Sequence, residues 1–323
     1  MAIGIISTGT ALPPRVVDNR EVSGWSRAEP DWIVERTGIR TRHYADADES
    51  TSDLAARAAD EALVRAGVCT SQLQALAVAT STPDQQIPAT AAHVQQKLGI
   101  SGSAAFDVNA VCSGYLYGLV LTSALLEQSH ADEYGVVVGA DTYSRIMDRE
   151  DKKTVSLFGD GAGATVLGHV PDGYGLLGHS LTSDGSLSDL VRLPADEGRR
   201  DGADATPSYF EMDGRAVKEF AMSAVPKTVH EACDQAGVRA SEIDRVILHQ
   251  GNIRLVEALA DELGVPRDKV DTSGEHTGNA AAASVPLTLG LSHDRDGIQR
   301  GDTVLLASVG GGMTTGAAVL RWY

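Results

Sequence analysis

The chain has 323 residues and a formal charge of −17, which argues against nucleic acid as a partner because phosphate backbones repel an acidic surface. No run approaches the roughly 18 apolar residues that span a membrane, and the N-terminus lacks the basic start and apolar block of a signal peptide. Three cysteines without a pairing pattern favour a reducing compartment, so we expect a cytoplasmic protein.

Patterns typical of buried strands alternate with helical patterns along the chain. The predicted strands are Ala2–Ser7, Ala75–Thr80, Ala104–Val108, Tyr134–Gly139, Gly163–Gly168, Arg245–His249 and Thr303–Ser308. The predicted helices are Thr51–Ala66, Ala89–Leu98, Ser113–Glu127, Ala216–Ala236, Ile253–Leu263 and Ser284–Leu291. This alternation predicts an α/β architecture with largely buried sheets.

The two halves of the chain share an order of elements. A helix, a strand and a loop follow one another within residues 51–88 and again within residues 216–254, and each half ends with a glycine-rich turn before a strand. We interpret this as an internal duplication, with an N-terminal unit of residues 1–172 and a C-terminal unit of residues 173–323. The polar segment 195–208 is predicted to be an exposed loop.

Cys112 lies at a predicted junction between a strand and a helix. Unpaired backbone N–H groups and the helix dipole favour negative charge at such a point, so we expect the pKa of the thiol to lie below its usual value of about 8.5. Small neighbours, Ala110, Ser113 and Gly114, leave room for a substrate to approach the sulfur. The alternative is a buried structural cysteine.

Two further polar residues stand next to apolar segments. His249 follows an apolar strand in VILHQGN, and Asn279 precedes the small-residue helix start Ala280–Ser284. The alternatives are a structural histidine and a helix-capping asparagine. The four alanines leave room either for a ligand or for close backbone packing.

Together, Cys112, His249 and Asn279 resemble the catalytic triad of the β-ketoacyl-ACP synthase III family, within the thiolase superfamily. The resemblance is collinear over nearly the whole chain and includes DWIVERTGIRTRH (31–43), DVNAVCSGYLYGL (107–119), FGDGAGA (158–164), HQGN (249–252), GNAAAASVP (278–286) and the glycine turn 310–312. It implies a thiolase-like fold, in which two duplicated αβ halves pack as a five-layer αβαβα sandwich.

The resemblance also implies a two-step reaction. An acyl group passes from acyl-CoA to Cys112, and a decarboxylative Claisen condensation with malonyl-ACP then gives 3-oxoacyl-ACP, which primes fatty-acid or polyketide-type biosynthesis. Backbone N–H groups of Cys112 and Gly311 would hold the tetrahedral oxyanion, while His249 and Asn279 would stabilise the enolate. No metal or cofactor is expected, because coenzyme A enters as part of the substrate.

The resemblance extends to residues that would bind coenzyme A. Trp32 would stack on the adenine and Arg36 would pair with a phosphate, although Trp32 can equally be a packing residue. Lys152, or its neighbour Lys153, stands where the family often has an arginine on the other adenine face. Because lysine has no planar face, weaker coenzyme A binding or an acyl-ACP donor becomes an alternative.

Other positions concern the acyl pocket and the catalytic loop. Ile87 would reach across a homodimer interface to floor the acyl pocket, which suggests an acetyl to short or branched starter. Asn252 would orient the site. Gly251 stands where the family commonly has alanine, so the site is either enlarged or unchanged there.

An acyl carrier protein is acidic, and so is this chain, so carrier-protein recognition would need a local basic patch. Arg254 and Arg215 are the candidates, with Lys218 on the same predicted helix as Arg215. The alternative is that these side chains are merely solvated, above all Lys218.

The sequence leaves three alternatives to a condensing enzyme to consider. An acyltransferase of the same fold would pass the acyl group to a hydroxyl, an amine or a carrier protein. The departures from the family at Lys152, at Gly251 and at Ala280-Ala281, where the family often has Thr-Ser, keep this alternative open. A non-catalytic partner subunit would be expected to lack Cys112. Hydroxymethylglutaryl-CoA synthase needs a glutamate that TSTPDQQ (80–86) does not contain.

Overall fold

The computed structural model describes residues 1–194 and 208–323, so most of the predicted loop 195–208 lies outside the described residues. The strands are β1 Ala2–Ala11, β2 Arg15–Asp18, β3 Thr41–Tyr44, β4 Leu73–Ala79, β5 Ala104–Val108, β6 Tyr134–Thr142, β7 Asp160–Val170, β8 Gly175–Ser183, β9 Val191–Arg192, β10 Glu211–Met212, β11 Arg245–Leu248, β12 Thr303–Gly310 and β13 Thr314–Arg321. The helices are α1 Asn19–Ser26, α2 Pro30–Thr37, α3 Thr51–Ala66, α4 Thr90–Lys97, α5 Gly114–Leu126, α6 Lys152–Val155, α7 Gly214–Ala236, α8 Ile253–Glu262, α9 Gly274–Thr277 and α10 Ser284–His293.

Two sheets form the centre of the molecule. The first has the order β1-β7-β6-β4-β5, in which β4 runs parallel to β5 and β6 while β7 is antiparallel to both of its neighbours. The second has the order β11-β12-β13-β8, in which only β11 and β12 are parallel. The first sheet draws on residues 2–170 and the second on residues 175–321. The division at residues 172 and 173 stays a prediction.

Helices cover both sheets and separate them. Helix α3 packs on the outer face of the first sheet, and α7 packs on the outer face of the second. Helices α5 and α10 lie between the sheets, since each contacts strands of both. The predicted five-layer αβαβα arrangement is therefore confirmed.

The two central helices begin in the same way. A turn of 3₁₀ helix, Val111–Ser113, leads into α5, and a matching turn, Ala281–Ala283, leads into α10. Each turn opens with a residue of positive φ, 49° at Val111 and 46° at Ala281. Such backbone is strained for a residue with a side chain, and for a β-branched one above all. Cys112 lies in the first turn, and Asn279 lies two residues before the second.

Glycines allow the second of these turns and its helix to lie directly on the first sheet. A Cβ at Gly139 would come within 2.2 Å of the Ala282 carbonyl oxygen, and one at Gly163 within 2.3 Å of the Leu287 nitrogen. Only hydrogen fits at both positions. This close packing brings the segment after Asn279 towards the Cys112 turn.

In the described part of the chain, no helix is long and apolar enough to cross a bilayer.

Candidate active site

Cys112 lies in the 3₁₀ turn before α5, and its side chain is almost fully buried. The turn is tied to the second sheet, because the Ser308 hydroxyl donates to the Cys112 carbonyl at 2.8 Å and the Thr314 hydroxyl donates to the Ala110 carbonyl at 3.1 Å. The predicted strand-to-helix junction is present. The two halves of the chain therefore meet at this cysteine.

The expected low pKa of the thiol is wrong for the unliganded protein. Burial raises the pKa of Cys112, and the charge of the buried Asp141 raises it further, while only the cysteine's own backbone N–H lowers it. The free energy needed to remove water from a thiolate exceeds the stabilisation that the helix N-terminus gives it. The resting nucleophile is thus a neutral thiol.

His249 directly follows β11, where its backbone N–H donates to the Ala307 carbonyl at 2.8 Å. Its Nδ1 lies 2.8 Å from the Ser284 Oγ at the start of α10. Burial lowers the pKa of His249 to about 4, so the imidazole is neutral at physiological pH. A neutral imidazole carries one N–H and one lone pair, and the Nε2 edge faces the cavity described below.

Asn279 is held by backbone hydrogen bonds on both sides. Its N–H donates to the Leu157 carbonyl at 2.9 Å, and its carbonyl accepts from the Gly159 N–H at 3.0 Å. The side-chain Oδ1 accepts from the Ala281 N–H at 2.9 Å. Because the oxygen is already engaged, the amide nitrogen is the end of the side chain that is left to donate.

The two candidate donors converge beside Gly251. An ideal Cβ on this glycine would lie 2.9 Å from the His249 Nε2 and 3.7 Å from the Asn279 Nδ2. The two side-chain nitrogens therefore lie next to the same side of Gly251. An alanine methyl here would crowd the imidazole, so glycine allows the ring to lie close to the backbone, and the enlargement of the site stays a prediction.

The glycine turn after β12 forms the wall beside Cys112. A Cβ at Gly310 would lie 2.9 Å from the Cys112 nitrogen and 2.7 Å from the Ala110 carbonyl oxygen, so close approach requires glycine there. Gly311 lines the same cavity as Cys112. The positive φ of the turn is at Gly312, with a value of 118°. The oxyanion role of the Cys112 and Gly311 N–H groups stays a prediction.

A cavity of about 770 Å³ joins these groups to the surface. Its walls include all three candidate catalytic residues and four of the predicted binding residues: Cys112, His249, Asn279, Arg36, Asn252, Arg254 and Arg215. Asn252 caps α8, accepting from the Arg254 N–H at 2.8 Å, and its amide donates to the Arg36 carbonyl at 3.3 Å. Asn252 therefore links α8 to the Arg36 backbone, and its role in orienting the site stays a prediction.

Three aromatic rings that the sequence did not single out as site residues line the inner part of the cavity. Tyr143 stacks on Phe158 with ring centroids 4.6 Å apart, and Phe210 meets both rings edge-on at 5.1 Å. All three rings are buried in one cluster with Cys112. The Tyr143 hydroxyl lies 3.0 Å from the Ser81 Oγ, which fixes the ring.

Of the predicted coenzyme A residues, Arg36 lines the cavity, whereas Trp32 and Lys152 do not. Trp32 is half-buried on α2, and the Lys152 Nζ lies 5.4 Å from the centre of its ring. Lys153, not Lys152, lines the cavity together with Arg36. The Lys152 ammonium therefore lies over one face of the Trp32 ring, and the stacking of adenine on Trp32 stays a prediction.

Two further predictions concern surfaces. Ile87 is 85% exposed and does not line the Cys112 cavity of its own chain, so its reach into a partner stays a prediction. The carrier-protein role of Arg254 and Arg215 also stays a prediction. The Arg254 guanidinium pairs with Glu257 at 3.1 Å, and the Arg215 guanidinium pairs with Glu219 at 3.0 Å.

Asp141 is a buried acidic residue of β6 that the sequence analysis did not single out. It accepts from Thr80, Ser81 and Thr82 in the loop after β4, and from the Ala282 N–H at 2.9 Å. It therefore joins the loop above β4 to the turn that follows Asn279. No cluster of histidine, cysteine or acidic side chains suited to a metal occurs within residues 1–194 and 208–323.

Comparison with known proteins agrees with this arrangement. The family model described as 3-oxoacyl-(acyl-carrier-protein) synthase III matches residues 106–185, and the model of its C-terminal part matches residues 233–322. Acetoacetyl CoA synthase NphT7 of a Streptomyces species is 44% identical over 98% of each chain. A β-ketoacyl-(acyl-carrier-protein) synthase III of Streptomyces coelicolor is 43% identical over 97% of this chain and 95% of its own.

Solved structures give the same result. A 3-oxoacyl-(acyl carrier protein) synthase III from Pseudomonas aeruginosa is similar with a TM-score of 0.92 and 37% identity, covering 100% of this chain and 98% of its own. A priming β-ketosynthase of a polyketide biosynthetic pathway has a TM-score of 0.93 and 28% identity, covering 99% and 96%.

Proposed function

The chain belongs to the 3-oxoacyl-(acyl-carrier-protein) synthase III family of condensing enzymes, and we propose that it loads an acyl group on Cys112 and condenses it with a malonyl thioester. The observation that supports this assignment most strongly is that Cys112, His249 and Asn279 line one cavity, with the His249 Nε2 and the Asn279 Nδ2 both beside Gly251. Simple acyl transfer has no need of two donors at a second carbonyl.

The first step is acyl transfer. The Cys112 sulfur attacks the carbonyl carbon of the acyl thioester, the bond to the coenzyme A sulfur breaks, and the thiol proton leaves with the departing thiolate as HS-CoA. Because burial keeps Cys112 protonated, the thiol must lose its proton as it attacks the thioester. The bound substrate must then stabilise the developing negative charge that water would stabilise at an exposed thiol. The N–H groups of Cys112 and Gly311 are the proposed donors to the tetrahedral oxyanion.

The second step breaks the bond between the malonyl α-carbon and its carboxylate. Carbon dioxide leaves, and the electron pair forms an enolate whose oxygen the His249 and Asn279 N–H groups stabilise. The α-carbon then attacks the acyl carbonyl, the bond to the Cys112 sulfur breaks, and the thiolate takes a proton from solvent. A neutral imidazole and a carboxamide suit this step, because each stabilises the negative charge without giving up a proton.

The acyl pocket favours a small starter. Tyr143, Phe158 and Phe210 fill the space beside Cys112, and the Ser81 contact holds the tyrosine ring in place. An acetyl group needs the least displacement of these rings. We expect loading to fall as the acyl chain lengthens.

The extender is carried either by an acyl carrier protein or by coenzyme A. The pairing of Arg254 and Arg215 with glutamates leaves less positive charge for an acidic carrier protein, which favours malonyl-CoA as a second candidate. The relative named acetoacetyl CoA synthase, at 44% identity, is consistent with that candidate. Both extenders lead to the same condensation chemistry at the same residues.

A homodimer is also proposed. Strand β5 is the edge of the first sheet, with one side of its backbone unpaired by any described strand. Leu121 and Leu125 on the neighbouring α5 are 47% and 53% exposed, and Ile87 is 85% exposed. A second copy placed along β5 would cover this apolar surface. Sedimentation at micromolar concentration should give twice the chain mass, and a monomer there would contradict the dimer.

The experiment that tests the function has two stages. The purified protein is incubated with a panel of acyl-CoAs, and the mass adduct on Cys112 is measured. Malonyl-CoA or malonyl-ACP is then added, and carbon dioxide and the 3-oxoacyl thioester are measured. Condensation predicts both products in equal amounts. Loss of the adduct to an alcohol or amine without carbon dioxide would support the acyltransferase instead, and no adduct with any acyl-CoA would indicate an acyl-ACP donor or a non-catalytic protein.

A further inference from the structure

The Ser284 hydroxyl bridges the catalytic histidine and the backbone next to it. Its Oγ lies 2.8 Å from the His249 Nδ1 and accepts a hydrogen bond from the Gln250 N–H, also at 2.8 Å. The side chain is 1% exposed and belongs to the first residue of α10.

Counting donors and acceptors shows whether the Ser284 hydroxyl donates to the His249 Nδ1 or accepts from it. A serine hydroxyl has one proton to donate and lone pairs to accept with. The Gln250 N–H has no proton-accepting end, so it takes up a lone pair of Oγ. In the described part of the chain, the His249 Nδ1 is the one remaining group within hydrogen-bond distance of that oxygen. If Nδ1 carried a proton, the buried Ser284 O–H would lack an acceptor, which typically costs about 1–3 kcal/mol.

We propose that the Ser284 hydroxyl is a positioning group that donates to the His249 Nδ1 and so fixes the proton of the neutral imidazole on Nε2. The inference rests on the proposed function, because it explains how the histidine donates to the enolate oxygen. It assigns to a serine 35 positions along the chain a role that the catalytic triad itself does not contain.

A consequence follows for the first step. With Nδ1 occupied by the serine proton and Nε2 already protonated, His249 has no free lone pair to take the proton of Cys112. The thiol proton therefore goes to the departing coenzyme A sulfur, as written above. The serine thus separates the two steps, since it makes the histidine a donor in condensation and excludes it as a base in acylation.

The direct test is the tautomer of His249 in the wild-type protein. Proton-coupled ¹⁵N NMR on histidine-labelled protein distinguishes a protonated from an unprotonated ring nitrogen, and the His249→Gln variant identifies the signals. We expect Nε2 to carry the proton and Nδ1 to be unprotonated at neutral pH. A proton on Nδ1 overturns the proposal, whatever the catalytic activity of the protein.

Variants then test whether the serine causes this state. In Ser284→Ala, a fraction of molecules with a proton on Nδ1 should appear, and condensation should fall about tenfold, below the 10²- to 10³-fold typical of losing a whole donor. Loading of Cys112 should change less than twofold. Ser284→Thr keeps the hydroxyl and should restore the Nε2 tautomer and most of the condensation rate.

Thr288→Val is the matched control, because Thr288 lies one turn further along α10, is equally buried and bonds to the Ser284 carbonyl without contacting His249. It should lower thermal stability without moving the tautomer. Should Ser284→Ala keep the wild-type tautomer and condensation rate, the serine has no positioning role. Should Ser284→Ala fail to fold, the wild-type spectrum and Ser284→Thr still decide the question. Wild-type protein that shows the Nε2 tautomer but releases no carbon dioxide would refute the function and leave the tautomer assignment standing.

Discussion

At the level of single residues, burial sets the protonation of both reacting side chains. It raises the pKa of the Cys112 thiol and lowers the pKa of the His249 imidazole, so both groups are neutral at rest. The motif around Cys112 predicts a nucleophile there but gives the wrong direction for the pKa of its thiol. A sequence shows that a cysteine precedes a helix, whereas its dehydration and its proximity to Asp141 arise only when distant segments pack together.

The thiol prediction concerns alkylation. Because burial raises the pKa of Cys112, its rate of modification by iodoacetamide should keep rising with pH beyond the usual thiol value of about 8.5. Peptide mass spectrometry of samples quenched at each pH would follow it, and modification of the exposed Cys69 controls for reagent decay. A plateau reached below about pH 8 would mean that the helix N-terminus outweighs burial.

The histidine prediction concerns condensation by enzyme already acylated on Cys112. Since the pKa of His249 is lowered to about 4, the imidazole stays neutral as pH falls through the usual histidine range, and its hydrogen bond from Ser284 is kept. Single-turnover release of carbon dioxide should therefore be nearly constant between about pH 5.5 and about pH 7.5. A loss of rate with a midpoint near 6.5 would show an ordinary, hydrated histidine.

At the level of elements, the sequence was most reliable where local chemistry marks both ends. Helix α3 was predicted with both ends correct, because Ser50 and Asp53 form a capping box and Gly67 ends the helix with a φ of 65°. Strand β8 was missed because it is an edge strand, GLLGHSLTS, with only two buried residues. Ser284 was read only as the end of a small-residue run, since its partner lies in another element.

The element prediction tests the glycine contact under α10. Gly163→Ala puts a methyl group 2.3 Å from the Leu287 nitrogen, so the helix must shift, and overpacking of this kind costs about 1–3 kcal/mol. Chemical denaturation should show the loss. Gly24→Ala is the control, because nothing lies within 4 Å of that position in α1, and it should stabilise by about 0.5–1 kcal/mol. Equal stability of both variants would contradict the close packing.

At the level of the whole molecule, the charge of −17 works against an acidic carrier protein. Composition alone raised this difficulty, but it could not reveal that Glu257 and Glu219 pair with the arginines proposed to overcome it. The α/β class could be predicted because strand and helix patterns alternate, and the five-layer arrangement followed from the family resemblance. The partner could not be predicted, because surface pairing depends on which exposed side chains meet.

The prediction at this scale is that added salt lowers the KM for malonyl-ACP. Raising salt from about 0.01 M to about 0.1 M shortens the screening length from about 30 Å to about 10 Å. Because like charges dominate, the KM for malonyl-ACP should fall by about twofold or more. Malonyl-pantetheine, which lacks the protein, should show little change. A KM for malonyl-ACP that rises with salt would show that a basic patch governs docking.

The most direct test of the account separates the two chemical steps in three variants. Adduct mass and carbon dioxide release are measured side by side for Cys112→Ala, His249→Ala and Asn279→Ala. The account predicts no adduct for the cysteine variant, and for the other two a normal adduct with condensation reduced by about 10²-fold or more. Normal condensation in both the histidine and the asparagine variants, or an adduct that survives loss of Cys112, would contradict it.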